Sequence, residues 1–323
     1  MWVWMIILTF VRLIVNCMKR DTYLDGLKFF LIFSVIMVHA LTYEGMGIYV
    51  TKIIHSYIMP VFVLLSGYFT KISSDEKFLK WLRKTFCIFL IFQVGLVLLE
   101  WGLGEEVGWR VLIVPQYALW YLVSLIFWRL SIQLLAKIHV LPNVWMLVVS
   151  VCLVPLISFI PIGLEFSFQR TFVFFPFYVA GLLVNQHQLL PKVNRVNIWL
   201  SVAVSVLALV VACVLTSFIP KVPCGDMKDL AVRMLQIVNS FVICFCIFRL
   251  MPREPIKKMA GLGKDSMYFY LYHVFFILIQ RHVFAHFHIH ANVLVAFLLA
   301  IFYVLVIMLM KKFRIFRMPM LEK

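Results

Sequence analysis

Apolar stretches follow one another along nearly the whole chain, separated only by short polar segments, and this limits the possible folds before any motif is considered. Of the 323 residues, 64% are apolar and only 14% are charged. A typical soluble domain is about 25% charged. One soluble core cannot hide that much apolar surface, so the bilayer has to act as solvent for much of it. Backbone groups in hydrocarbon must be satisfied within their own segment, which predicts an all-α, polytopic membrane bundle. The pattern places about ten transmembrane helices at residues 29–48, 53–70, 85–101, 111–136, 143–160, 171–187, 197–219, 229–250, 267–288 and 291–310. Residues 18–323 read as a single integral membrane domain with no soluble appendage.

The net charge of +16 invites a nucleic-acid partner, but the placement of the charges removes it. With the segment before the first span in the cytoplasm and alternation thereafter, 22 of the 30 basic residues fall on the cytoplasmic side and seven on the other. That bias follows the positive-inside rule and predicts both termini in the cytoplasm. It accounts for the charge with membrane lipids as the surroundings and no polyanionic partner. Residues 1–17 read as an extension ahead of a start at Met18. Their apolar run carries Arg12, is short for a span, and lacks the charge order of a signal peptide. The seven cysteines lie mostly inside apolar stretches without CxxC pairing and read as small core residues.

Ionisable groups inside spans are costly and mark functional candidates. His39 follows Lys28 by eleven residues, roughly 16 Å along a helix, which puts it near mid-bilayer. Eleven steps of 100° leave both side chains within about 20° of one face. Asp25, Lys28 and His39 therefore share a stripe, with Tyr43 one turn beyond. A neutral imidazole in a dry site can act as general base for a hydroxyl. The competing reading is a structural histidine between helices, with Lys28 reaching for the interface. In the ninth span, Asp265 and Ser266 suggest an N-cap, and His273 lies two turns further in, behind an aromatic run. Gln116, Trp120 and Ser124 stand at i, i+4 and i+8 beside Tyr121, which fits either a cavity lining or a hydrogen-bonded helix interface. Ser66-Gly67 lacks any adjacent base and reads as small-residue packing. His282, His286 and His290 have helical metal-ligand spacing but no carboxylate, and the reading favoured is a wet polar cap with no metal.

Five segments, in order, resemble the acyltransferase 3 family of bacterial membrane acyltransferases, most closely its fucose 4-O-acetylase-like members. They are Arg20-Asp21-Thr22-Tyr23-Leu24-Asp25-Gly26-Leu27-Lys28 running on to Val38-His39, Met59-Pro60-Val61-Phe62 with Leu65-Ser66-Gly67-Tyr68-Phe69, and Leu119-Trp120-Tyr121-Leu122. The other two are Phe174 through Gly181, preceded by Arg170, and Leu262-Gly263-Lys264-Asp265-Ser266 through His273. The resemblance implies a ten-helix fold, acyl-CoA as co-substrate (acetyl-CoA most often), no bound cofactor, and a hydroxyl on a cell-envelope sugar or lipid-linked glycan as acceptor. It implies that His39 is catalytic, that Lys28 belongs to the same motif, and that the site is in the bacterial cytoplasmic membrane. The basic stretch Lys80, Arg83 and Lys84 sits where the family has basic residues after the second span, a loose match because no proline follows. These three are candidates for the CoA phosphates. Asp25, Tyr43 and His273 are candidate partners of His39. Gln116, Trp120, Tyr121, Ser124 and Arg170 are candidates for the cavity wall. The alternative function is a polytopic transporter or flippase of envelope glycolipids.

Overall fold

The computed structural model describes residues 21–42, 45–162, 165–215 and 224–313, so the extension 1–17, Tyr43 and both chain ends lie outside the described residues. Among those residues the chain is helical with no strand. Asp21 accepts hydrogen bonds from the backbone N–H groups of Tyr23 (2.9 Å) and Leu24 (3.3 Å), which starts helix α1 at Thr22. Helix α1 (Thr22–Ala40) is therefore shifted toward the N-terminus relative to the expected 29–48. The chain then turns through Gly45, whose φ of 50° favours glycine, into α2 (Met46–His55) and, after a break at Ser56 and Tyr57, α3 (Ile58–Phe69). The remaining long helices are α4 (Asp75–Gly102), α5 (Trp120–Lys137), α6 (Val144–Ser158), α7 (Phe168–Gln186), α8 (Ile198–Leu215), α9 (Met227–Leu250), α10 (Ser266–His286) and α11 (Val293–Lys312). Short helical pieces Arg253–Lys258 and Ala260–Gly263 lead from α9 into α10.

Each of the ten expected stretches overlaps a helix of this bundle, and among the described residues eight segments are long and apolar enough to cross a membrane. They include α2 and α3 taken together as Met46–Phe69. Helix α6, with 15 residues, is shorter, and the 21-residue α10 carries the tyrosines, histidines, Gln280 and Arg281 that lower its apolarity. Outward faces of α4, α8 and α11 expose Val94, Leu98, Leu207, Val210, Phe302 and Leu305, as a bundle solvated by lipid should.

Lipid is as apolar as leucine, so helices here must be held by close packing and hydrogen bonds. Helix α1 is central: Leu24, Leu27 and Leu31 belong to one core cluster with residues of α3, α7 and α9, while Ile32 and Ile36 belong to another with residues of α10 and α11. Helices α3 and α7 cross at two glycines. A Cβ on Gly67 would lie 1.9 Å from the Tyr178 carbonyl oxygen, and one on Gly181 would lie 1.9 Å from that of Leu64. No rotamer change relieves a clash with backbone, so Gly67→Ala must push α3 and α7 apart. Its expected cost is at least that of overpacking a core, about 1–3 kcal/mol. Thermal unfolding of the purified variant in detergent checks this, and an unchanged midpoint would show that the crossing is not tight.

Polar side chains complete the packing. Ser124 bonds Thr171 (2.8 Å) and Ser167 (3.1 Å), and the Trp128 indole donates to the Thr171 carbonyl (2.7 Å). Gln93 donates to the Val111 carbonyl (2.8 Å) and accepts from the Gln116 backbone N–H (3.0 Å). Gln280 donates to the Ala40 carbonyl (2.9 Å) and accepts from the Tyr303 hydroxyl (2.9 Å), which ties α10 and α11 to the end of α1.

Candidate active site

A cavity of about 620 Å³ opens among α1, α3, α5 and α10, with further walls from α2, α4 and α7. Helix α1 contributes Lys28, Val35, Val38 and His39, so the predicted common face holds and both motif residues line one space. The cavity therefore follows α1 for roughly 16 Å. His39 is in the last turn of α1 and not in its middle, because the helix begins and ends earlier than its apolar stretch suggests. Asp25 lies behind the wall, only 1% exposed, and pairs with Lys28 at 3.1 Å. The Lys28 ammonium sits 3.8 Å from the centre of the Phe69 ring.

His273 of α10 faces His39. Their rings are stacked at 5.7 Å between centroids with 22° between planes. His273 is fully buried, and its Nδ1 lies 2.9 Å from the Phe269 carbonyl oxygen. A carbonyl only accepts, so Nδ1 holds the ring proton and Nε2 presents a lone pair. That Nε2 is buried with no hydrogen-bond partner among the described residues. An unprotonated ring nitrogen is an acceptor, available to a hydrogen-bond donor that enters beside it. Asp265 holds the N-cap position of α10, but its carboxylate bonds Lys311 (2.5 Å) and makes no side-chain cap.

Beyond the imidazoles the wall is aromatic. Tyr270 donates to the Ala118 carbonyl, and its ring meets Tyr121 edge-on at 5.6 Å. Ser66 gives its proton to the Phe62 carbonyl (2.8 Å), so the Tyr121 hydroxyl is the donor in the Ser66–Tyr121 bond. With its proton engaged and no base beside it, Ser66 is not arranged as a nucleophile.

The predicted polar face of the fourth span divides. Trp120, Tyr121 and Arg170 line the cavity, and the Arg170 guanidinium lies 5.2 Å from the centre of the Trp120 ring. Gln116 and Ser124 do not line it. Gln116 precedes a 3₁₀ turn, Tyr117–Leu119, so no single helix carries Gln116, Trp120 and Ser124. Ser124 is buried between α5 and α7, the interface reading of that pattern. The cavity face of α5 is instead Tyr121, Leu125 and Arg129, one residue over in register. Lys80, Arg83 and Lys84 sit on the first turns of α4 outside the cavity, while their neighbour Trp81 lines it.

Three basic lining residues were not expected from sequence: His55, Arg129 and Arg281. Arg281 stands eleven residues after Tyr270, the same face-sharing interval that links Lys28 to His39, and its guanidinium lies 3.5 Å from the His39 carbonyl oxygen. No Asp or Glu lines the cavity among the described residues. His282 and His286 are exposed at the end of α10, and His290 lies past the end of that helix, so the predicted i, i+4, i+8 face is interrupted. Among the described residues no three His, Cys, Asp or Glu side chains form a metal-holding group.

Fold and site together define a multi-pass helical membrane protein with two adjacent imidazoles in a cavity that, among the described residues, is lined by cations and by no carboxylate. The chain belongs to the acyltransferase 3 family, whose acyltransferase domain matches residues 21–312, and it is a membrane acyltransferase. Searches of curated proteins and of solved structures returned no match.

Proposed function

We propose that the protein transfers an acetyl group from acetyl-CoA to a hydroxyl of a cell-envelope sugar or lipid-linked glycan at the cytoplasmic membrane of a bacterium. The observation that carries this reading is the His39–His273 pair, set at one end of a cavity whose other end holds Lys28. The bias of basic residues supports a cytoplasmic Lys28 end, where acyl-CoA is available. Lys80, Arg83 and Lys84 then form a basic rim at which the donor first arrives. His39 accepts the proton of the sugar hydroxyl as its oxygen attacks the thioester carbonyl. The new C–O bond forms, the C–S bond breaks, and the CoA thiolate leaves and takes up the proton that His39 released. His273 supports His39 through its unprotonated Nε2. Trp120, Tyr121 and Arg170 offer aromatic faces and a cation to the sugar, surfaces that suit a polyhydroxylated ring.

The test is direct. Purified protein incubated with acetyl-labelled acetyl-CoA and crude envelope glycan is expected to move label into the glycan. Label transfer absent with every glycan fraction, with glycolipid movement across vesicles in its place, would instead support a transporter or flippase.

A further inference from the structure

We propose that Arg129 holds a phosphate group of the acyl donor at the Lys28 end of the cavity. The inference rests on the reading of acyl-CoA as donor and assigns a residue that neither motif spacing nor the basic stretch on α4 identified. Arg129 lines the cavity, and its Nε is buried with no hydrogen-bond partner among the described residues. Its guanidinium lies over the Trp81 ring, 4.1 Å from the ring centre. A stacked guanidinium keeps its edge N–H groups for a planar or tetrahedral oxyanion, the bidentate geometry that favours Arg for phosphate.

Among the described residues no lining carboxylate answers this charge. A cation within a membrane domain is normally paired, lines a water-filled path or serves a ligand. Lys28 already has Asp25, and Arg281 reaches the His39 carbonyl. Arg170 lies beside the Trp120 ring, and among the described lining cations Arg129 is the one with a buried nitrogen that has no hydrogen-bond partner. The two cations at this end flank the terminus of α3: Lys28 lies over Phe69, and the next residue, Thr70, also lines the cavity and bonds the Tyr178 hydroxyl (2.7 Å). Tyr178 in turn packs at 5.5 Å on Trp128, the neighbour of Arg129. A diphosphate between Lys28 and Arg129 would leave its thioester arm free to run along α1 toward His39. The ligand chemistry is a phosphate ester, which could come from coenzyme A or from an anionic phospholipid headgroup.

The experiment uses the full chain in nanodiscs of phosphatidylcholine and measures binding of coenzyme A and of pantetheine, which lacks the phosphates. Wild-type protein is expected to bind coenzyme A more tightly than pantetheine. Arg129→Gln is expected to weaken coenzyme A about 10-fold, the loss of a charge-assisted hydrogen bond, and to leave pantetheine unchanged. Arg129→Lys should recover part of the loss. Equal binding of the two ligands by wild-type protein overturns the proposal without recourse to any variant, so a poorly folding Arg129→Gln does not protect it. Tight coenzyme A binding that Arg129→Gln leaves intact overturns the Arg129 assignment alone and leaves the donor reading standing. A second set of discs adds phosphatidylglycerol: if it stabilises wild-type protein, this gain is lost in Arg129→Gln and coenzyme A binding is not, the site belongs to lipid and the proposal falls. No binding of either ligand to wild-type protein removes the donor reading and this proposal together.

Discussion

His39→Gln is expected to lose about 10²–10⁴-fold in acyl transfer while the protein still inserts and folds. That range is what positioned general-base catalysis contributes. Glutamine keeps a polar tip in the cavity and can still form hydrogen bonds there, but it cannot take up a proton near neutral pH. The backbone contacts at this turn would survive, since Arg281 meets the carbonyl of residue 39 and Gln280 that of Ala40, neither through the imidazole. His39→Ala removes the ring stacked on His273 as well, so its loss mixes chemistry with packing. The quantity to measure is the initial rate per folded molecule, with thermal stability recorded in parallel. Near-normal transfer by well-folded His39→Gln would remove His39 from the chemistry and make His273 the next candidate base.

The membrane bundle was legible because hydropathy is a sum over about twenty residues and tolerates local errors. Boundaries were not, for the opposite reason. One side-chain acceptor, Asp21, starts α1 at Thr22, and one glycine at positive φ, Gly45, opens α2. Averaging over an apolar window erases both. The Lys28–His39 pairing could be read because both residues lie within one uninterrupted helix, where 100° per residue holds. The same arithmetic failed for Gln116, Trp120 and Ser124 because a 3₁₀ turn ends just before Trp120. Arg129 and Arg281 were visible only as charges, and the positive-inside rule counts charges without asking which way they point.

Several motif segments meet in pairs, which separates packing from chemistry in the family pattern. A Cβ on Gly263 would strike the Asp25 carbonyl oxygen at 1.7 Å, so the fifth segment lies against the first. Gly67 and Gly181 bring the second against the fourth in the same way. These glycines let backbone approach backbone and so set the positions of the helices that carry His39, Ser66 and His273. The cavity residues are what this scaffold leaves facing inward.

His273→Asn is expected to lower kcat roughly 10- to 100-fold, the worth of one buried hydrogen bond to a charged group. KM for the donor should change little. The asparagine amide falls near the position of Nδ1 and can keep the donor to the Phe269 carbonyl, but it leaves nothing where Nε2 stood. His273→Gln reverses the exchange: its longer side chain can return an acceptor toward His39 while giving up the bond to Phe269. If Nε2 supports His39 as it gains and loses a proton, Gln should regain part of the lost kcat and Asn should not. A histidine that merely fills space predicts another pattern. Both variants would then lose stability, since His273 is fully buried, and the rate per folded molecule would be unaffected. Interactions formed only in the transition state lower kcat and kcat/KM together, whereas uniform binding contacts raise KM alone. Steady-state kinetics of the two variants, corrected for the folded fraction, therefore decides the matter. Equal kcat for wild type, His273→Asn and His273→Gln would assign the stacked ring to packing and leave His39 to act without it.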